Sequence, residues 1–447
     1  MGSKFDIKNI YRLDGYVPLG KAIPFGLQHV LAMFVANIAP IIIVTSAVGL
    51  SAQERAMIVQ NAMFIAGIAT LIQLYPLWKI GARLPIVMGV SFTFVTILCF
   101  VGIQFGYEYV LGAVLVGGLI EGCLGLLAKY WHKIITPVVA ASVVTSIGFS
   151  LLGVGASSFG GGTGNPDFGS AQNLLLGTIT LVSCLLFQIF LKSFWKQLSI
   201  LFGLIVGYVA AIAMGAVDFS IIAAAEPVSL PTFMPYVPKF HPGAILSVAV
   251  IFLVSAAETI GDTTAMVESG LSRRVTDKEI SGALACDGFA SSLSSLFGCL
   301  PVTSFSQNVG LIAMTKVVNR FTIMTGAACM IVAALFPPIG AFFATLPDAV
   351  LGGSTIMLFG SIVVTGIQML SRCGFSQRNV TIMALSIAIG IGFTQVPEIF
   401  GIFPEIVQEV LGSNSVAIVF IVAIVLSLVL PRNMGQGKNT GGKETVE

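Results

Sequence analysis

Ser255-Ala256-Ala257-Glu258-Thr259-Ile260-Gly261-Asp262-Thr263-Thr264 sets two carboxylates one helical turn apart inside a stretch otherwise long and apolar enough to span a bilayer. An ionised carboxylate at membrane depth is costly, so it normally faces a protein interior or a watery cavity and serves ion, proton or substrate handling. Glu258 and Asp262, at i and i+4, share one helix face. The plainer alternative is a structural pair satisfied by the neighbouring Thr and Ser hydroxyls.

Composition puts that stretch in a membrane. Of 447 residues, 56% are hydrophobic and 9% charged, with a mean hydropathy of +0.98, whereas soluble domains carry about 25% charged residues. A spanning helix needs about 20 mainly apolar residues. Segments of that kind fall at 22–44, 56–78, 84–103, 108–128, 134–154, 172–191, 198–217, 244–267, 280–298, 301–315, 321–343, 349–370, 379–396 and 414–431. The expectation is an all-α polytopic membrane protein of fourteen segments, with the third and tenth irregular. Short cytoplasmic loops collect Lys and Arg. Threaded from a cytoplasmic N-terminus, 20 of the 22 basic residues fall inside, and only Arg55 and Lys239 fall outside. One span more or fewer would reverse the sign of every later loop. An even count with both termini cytoplasmic follows, in the inner or plasma membrane.

Several classes drop out. The first twenty residues are polar and basic, without a cleavable signal peptide. Seven scattered cysteines show no metal or redox spacing and read as small buried hydrophobes. The net charge of +2 follows topology and implies no nucleic-acid partner. No metal-ligand cluster, nucleophile with a partner base or Asp-rich diphosphate motif points to an enzyme, and no cofactor is implied.

The two irregular segments resemble each other. Leu84-Pro85 precedes Gly89-Val90-Ser91-Phe92-Thr93-Phe94, and Leu300-Pro301 precedes Val302-Thr303-Ser304-Phe305-Ser306-Gln307. Such backbone is tolerated at membrane depth only where it is buried in protein or lines a cavity. Their separation, near half the chain, suggests repeats at 22–217 and 244–431, flanked by an N-terminal segment at 1–21 and a disordered tail at 432–447. Because seven is odd, the halves would be inverted, as in many secondary transporters. Each extended piece would lead into a half-helix whose N-terminus points at a ligand, with Ser306, Gln307 and Asn308 at one of them. The glycine-rich Ser157–Ser170 stretch lacks a following Lys and reads as a flexible external loop rather than a phosphate loop.

Further polar residues extend the candidate site. Glu258 suits acceptance from a ligand's N–H groups, and Asp262, one turn nearer the cytoplasm, suits proton exchange. Asp287 adds a third buried acid, read either as part of a proton relay or as a partner for nearby backbone. Glu121 reads as structural. Gln28 and His29 open the first segment, and the repeat would set that segment opposite the eighth, so His29 can reach the acidic site or be only a satisfied polar group. Phe92 and Phe305 each follow a Ser and can stack on a flat ring. Gln307 offers both donor and acceptor, which suits the lactam edge of a nucleobase.

Gln307-Asn308-Val309-Gly310-Leu311-Ile312-Ala313-Met314-Thr315-Lys316 resembles the signature of the nucleobase–ascorbate transporter family, also called nucleobase:cation symporter-2. Ala257-Glu258-Thr259-Ile260-Gly261-Asp262, Gln28-His29 and Ser91-Phe92-Thr93 fit the same family. The resemblance implies a fourteen-span, usually dimeric fold with a core domain (spans 1–4 and 8–11) and a gate domain (spans 5–7 and 12–14), moving a nucleobase with a proton by alternating access. It implies that Glu258 and Gln307 bind the base, Phe92 stacks on it, and backbone near Ser91 and Ser306 completes the site. Asp262 would couple the proton, with His29, Asp287 and Asn308 in support. Gln307 and Asp262 stand where uracil-type relatives tend to carry Glu and His, so the pattern is similar to the xanthine and uric acid branch. Thr93, where xanthine-selective members often have Asn, leans towards uric acid. The alternatives are a uracil or other nucleobase symporter and an anion carrier of the same fold.

Overall fold

The computed structural model describes residues 6–192, 194–412, 414–431 and 434. The tail expected at 432–447 lies, Met434 apart, outside the described residues. The first half of the chain forms α1 (Leu19–Val48), α2 (Ala52–Leu74), β1 (Met88–Val90), α3 (Val95–Phe105), α4 (Tyr107–Leu126), α5 (Pro137–Phe159), α6 (Ala171–Phe190) and α7 (Ser199–Ala213). The second half forms α8 (Pro242–Leu271), α9 (Asp277–Leu296), β2 (Val302–Ser304), α10 (Ser306–Thr315), α11 (Arg320–Ala333), α12 (Pro337–Ala344), α13 (Asp348–Cys373), α14 (Gln377–Thr394) and α15 (Ser415–Val429).

Local chemistry fixes the ends of these helices. Ser51 and Glu54 form a reciprocal capping box that starts α2 at Ala52, four residues before the expected edge, and Thr276 and Glu279 do the same for α9. The single segment expected at 321–343 is broken. Pro337 and Pro338 cannot continue α11, and α12 leaves it at 83°. Among the described residues seven helices are long and apolar enough to cross a membrane, or eight with the bent pair, so this is a multi-pass membrane protein. The serine-rich α9 fails that test on composition. Protein rather than lipid surrounds it: Asp287, Ser291, Ser294 and Ser295 are fully buried. Of the seven cysteines expected to be buried, Cys184, Cys286 and Cys299 are, whereas Cys99, Cys329 and Cys373 are half-buried and Cys123 is exposed on α4.

The helices pack in two groups. One contains α1 to α4 and α8 to α12; the other contains α5 to α7 and α13 to α15, with α5 against α13 at its centre. Partnerships recur between the halves. As α4 packs on α8 and α9, so α11 packs on α1 and α2, and as α6 packs on α7, so α14 packs on α15. β1 and β2 pair antiparallel, Met88 with Ser304, Gly89 with Thr303 and Val90 with Val302.

Glycine permits close helix approach. A Cβ on Gly288 of α9 would lie 2.1 Å from the backbone nitrogen of Gly122 and 2.5 Å from the Gly118 carbonyl oxygen on α4. The backbones therefore touch, as small residues permit in membrane interfaces. Replacing Gly288 with Ala must separate the helices, at a cost of about 1–3 kcal/mol for an overpacked contact. A lowered thermal midpoint of the purified protein is expected for Gly288→Ala, and no loss for Gly392→Ala, whose Cβ would meet nothing within 4 Å.

Candidate binding site at the paired strands

A two-stranded sheet leaves its outer edges unpaired, and here neighbouring side chains satisfy them. Val90 N donates to Asn37 Oδ1 at 2.7 Å, Met88 N to Thr70 Oγ1 at 3.0 Å, and Val302 N to Ser291 Oγ at 3.0 Å. Between the strands the ladder continues one residue past each end, where Ser91 N and Phe305 N donate to the Pro301 and Val87 carbonyls at 3.1 and 3.0 Å. Gly89 leaves room where the chain passes α1, because a Cβ there would lie 2.6 Å from Met33 Cε and Phe305 Cε2 and would make those side chains shift.

Each strand feeds a helix. A short 3-10 turn, Phe92–Phe94, leads into α3, and α10 begins at Ser306 with no side-chain cap. Since the strands are antiparallel, the two half-helices leave in opposite directions, and their N-terminal ends lie beside the same central point. Free N–H groups at such ends favour electron-rich ligand atoms.

A cavity of about 500 Å³ lies there, within the usual range for small-molecule sites. Ser91, Phe92, Thr93, Glu258, Asp262, Ser304, Phe305, Ser306 and Gln307 line it from the first helix group. Val144 and Ile147 of α5, Ile200 and Leu201 near the start of α7, and Leu358, Ser361 and Thr365 of α13 line it from the second. The lining continues past Gln197 to Ser269 near the C-terminal end of α8 and to Gln368 and Arg372 near that of α13, and the exposure of the last two marks the mouth.

The carboxylates are held by hydroxyls. Thr93 Oγ1 donates to Glu258 Oε2 at 2.6 Å, while Ser304 and Ser306 donate to Asp262 Oδ2 at 3.1 and 2.9 Å. Ser304 Oγ also lies 3.2 Å from Thr259 Oγ1, which donates to Asp287 Oδ2; Gln73 Nε2 reaches Asp287 Oδ1 at 3.4 Å. A continuous polar chain thus runs from the cavity through Asp262, Ser304 and Thr259 to Asp287 in α9. Among the described residues no cation forms an ion pair with Glu258, Asp262 or Asp287. Gln307 faces the cavity with no hydrogen bond to the described residues, leaving its carboxamide for a ligand. Phe92 lines the cavity and meets Phe359 of α13 edge-on, ring centroids 5.2 Å apart.

The other candidates sit behind this wall. Asn308 Nδ2 lies 3.3 Å from His29 Nδ1 and donates to the His29 carbonyl at 3.1 Å, so His29 is joined to α10 next to Gln307 while its Nε2 is buried without a partner. Gln28 is half-buried and, like His29, Asp287 and Asn308, does not line the cavity. Glu121 is buried in α4 with neither carboxylate oxygen hydrogen-bonded. Gln73 and Thr259 join the site only through the fold. A carboxamide within apolar α2 and a hydroxyl between the two acids were the available signals.

The family model described as "Permease family" (Xan_ur_permease) matches residues 20–399. The chain belongs to this permease family. It is 35% identical to the xanthine permease of Bacillus subtilis (strain 168), over 92% of this chain and 94% of the relative, and 34% identical to the xanthine permease XanQ of Escherichia coli (strain K12), over 98% and 97%. The uric acid permease PucK of Bacillus subtilis is 34% identical over 88% and 91%. Among solved structures, the transmembrane domain of a cyanobacterium bicarbonate transporter, BicA, matches with a TM-score of 0.58 at 15% identity, over 91% of this chain and 98% of that one. The murine anion transporter Slc26a9, solved in its inward-facing state, matches at 0.60 and 12%, over 92% and 68%. At such identities the likeness is one of fold. The permease is therefore a transporter and not an enzyme.

Because Thr259 is the hydroxyl linking Ser304 to Asp287, Thr259→Val should leave a buried carboxyl short of a donor and cost about 1–3 kcal/mol. Thermal unfolding should show a lowered midpoint for Thr259→Val and near-parental stability for Thr259→Ser.

Proposed function

We propose that this permease is a proton-coupled symporter that imports an oxidised purine base, xanthine or uric acid or both, by alternating access. The observation that carries this reading is the arrangement of Glu258 and Gln307 on one cavity between two half-helix ends. A carboxylate accepts from ring N–H groups while a carboxamide both donates and accepts, and together they complement the alternating edge of an oxopurine. An analogue that left these groups unpaired would lose affinity steeply. Phe92 is a face for the ring, Phe305 and Thr93 bound the pocket, and Ser91 and Ser306 lie where the half-helices begin. The names of the relatives support the substrate class.

The coupling ion is the proton. Three carboxyl groups linked by hydroxyls with no cationic partner need positive charge from a ligand N–H or a bound proton. Asp262 both faces the cavity and joins the chain to Asp287, so it is the coupling group. His29 and Asn308, with Gln28 beside them, brace α10 and hence Gln307. Inward movement of one charge gains about 2.3 kcal/mol per 100 mV of membrane potential.

The same reading takes the chain as fourteen spans in a seven-plus-seven inverted repeat, supported by the recurrence of helix partnerships and by the antiparallel pairing of the two strands. The group containing α1 to α4 and α8 to α12 is the core domain, and the other is the gate. Both termini are cytoplasmic, which sets the cavity mouth, at the C-terminal ends of α8 and α13, on the inner side, where Arg273 and Arg274 follow α8 and Arg372 lies in the last turn of α13. The working unit is a homodimer in the cell membrane. An anion carrier is disfavoured because two acids and no cation border the pocket beside the strands.

Uptake of radiolabelled xanthine by cells expressing the permease, with unlabelled uric acid, uracil, guanine or hypoxanthine competing, tests the substrate. Protonophore-sensitive uptake blocked by uric acid is expected; uptake of uracil instead would refute the branch. Gln307→Glu should weaken xanthine uptake at least about tenfold by removing the amide donor, and unchanged uptake would remove Gln307 from the site. Asp262→Asn should abolish accumulation against a gradient while retaining binding, and full uphill uptake by that variant would contradict its coupling role.

A further inference from the structure

Two features of the sequence are not used by the binding site: Arg55, on the side of the membrane otherwise almost free of basic residues, and the glycine-rich loop after α5. The structure brings them together at the end of the molecule opposite the cavity mouth. Arg55 Nη1, at the start of α2, donates to Ser46 Oγ at 2.9 Å, and Ser46, near the end of α1, donates to Asp348 Oδ1 at 3.4 Å. Asp348 is the first residue of α13, whereas Arg372, at the cavity mouth, lies in its last turn. Arg55 Nε is buried there without a hydrogen bond.

The loop closes on the same carboxylate from the other side. Gly162 has φ +88°, which favours glycine, and a Cβ on it would lie 2.7 Å from Asp348 Oδ2. Asp348 therefore lies between the Ser46 hydroxyl of one helix group, with the Arg55 guanidinium behind it, and the backbone of a loop belonging to its own group. About three turns further along α13, Phe359 meets Phe92 and closes the cavity beneath. Lys239, the other basic residue expected outside, pairs with Glu108 at 3.6 Å within the first helix group and bridges nothing.

We propose that Arg55, Ser46 and Asp348 form a polar latch that ties the two helix groups together at the outer end and has to part in every transport cycle before a ligand can enter from outside. The proposal rests on the alternating-access reading. A direct Arg–Asp pair would be short and strong; an interposed serine, with its second contact at 3.4 Å, makes a link that is specific in direction yet easily opened. Phe92 against Phe359 is the apolar layer beneath it, and the glycine loop packs over the Asp348 carboxylate.

The test uses the full-length permease in intact cells with Ser361→Cys, a cavity-lining position on α13, labelled from outside by a membrane-impermeant maleimide; the parent chain with its native cysteines sets the background. Adding Ser46→Ala or Asp348→Asn should raise the outside labelling rate about tenfold, the effect of losing a hydrogen bond to a charged group. Exchanging the charges, Arg55→Asp with Asp348→Arg, should bring the rate back towards that of the unlatched protein's parent. Ser46→Ala removes a single hydroxyl, so it carries the test even if Asp348→Asn misfolds. Labelling at the parental rate in Ser46→Ala, with purine uptake retained, overturns the latch and leaves alternating access standing. Labelling that does not respond to excess substrate in any variant, with uptake retained, overturns alternating access instead.

Discussion

Backbone amides at membrane depth must find partners, and the site depends on how six residues do so. Met88–Val90 and Val302–Ser304 are too short to form a stable sheet by themselves. They persist because each outer edge is met by a side chain, Asn37 of α1 and Thr70 of α2 on one strand and Ser291 of α9 on the other, and because helices pack around them. That solution breaks what would otherwise be two continuous helices. It leaves two helix beginnings at the middle of the protein, which is where a small polar ligand can be met by backbone N–H groups without any cation.

The acids follow from the same geometry. α8 passes the paired strands along its length, so Glu258 faces the Ser91–Thr93 turn and Asp262 faces Ser304 and Ser306. Hydroxyls rather than lysines or arginines serve the carboxylates. A hydroxyl can rotate and both donate and accept, so the chain from Asp262 through Ser304 and Thr259 to Asp287 can change hydrogen-bond direction when a proton arrives or leaves. A fixed salt bridge would lack that freedom. The opposing wall, supplied by α5, α7 and α13, is mostly apolar and packs chiefly within its own group, the arrangement expected if it moves relative to the acids.

Much of this was legible in the sequence because the membrane makes polarity expensive. Glu258, Asp262 and the two Leu-Pro segments stood out against apolar surroundings, and each borders the cavity or its strands. The break between α11 and α12 was less visible: Pro337-Pro338 was read through because the apolar run continues on both sides. The edge of α2 is hidden in the sequence because its capping box, Ser51 with Glu54, lies in a polar stretch that resembles a loop. His29 and Asn308 were legible as polar residues, but their contact with each other, away from the cavity, depends on how α1 and α10 cross, which spacing does not encode. Gln73 and Thr259 matter only through the third acid they join to the site.

The central claim, that a proton bound within this carboxyl chain drives a purine through the cavity, is tested most directly in proteoliposomes containing only the purified permease. An imposed pH gradient, acid outside, should drive radiolabelled xanthine to a transient internal concentration above the external one, and a protonophore should collapse it. Uptake that only equilibrates, whatever the gradient, would contradict the account.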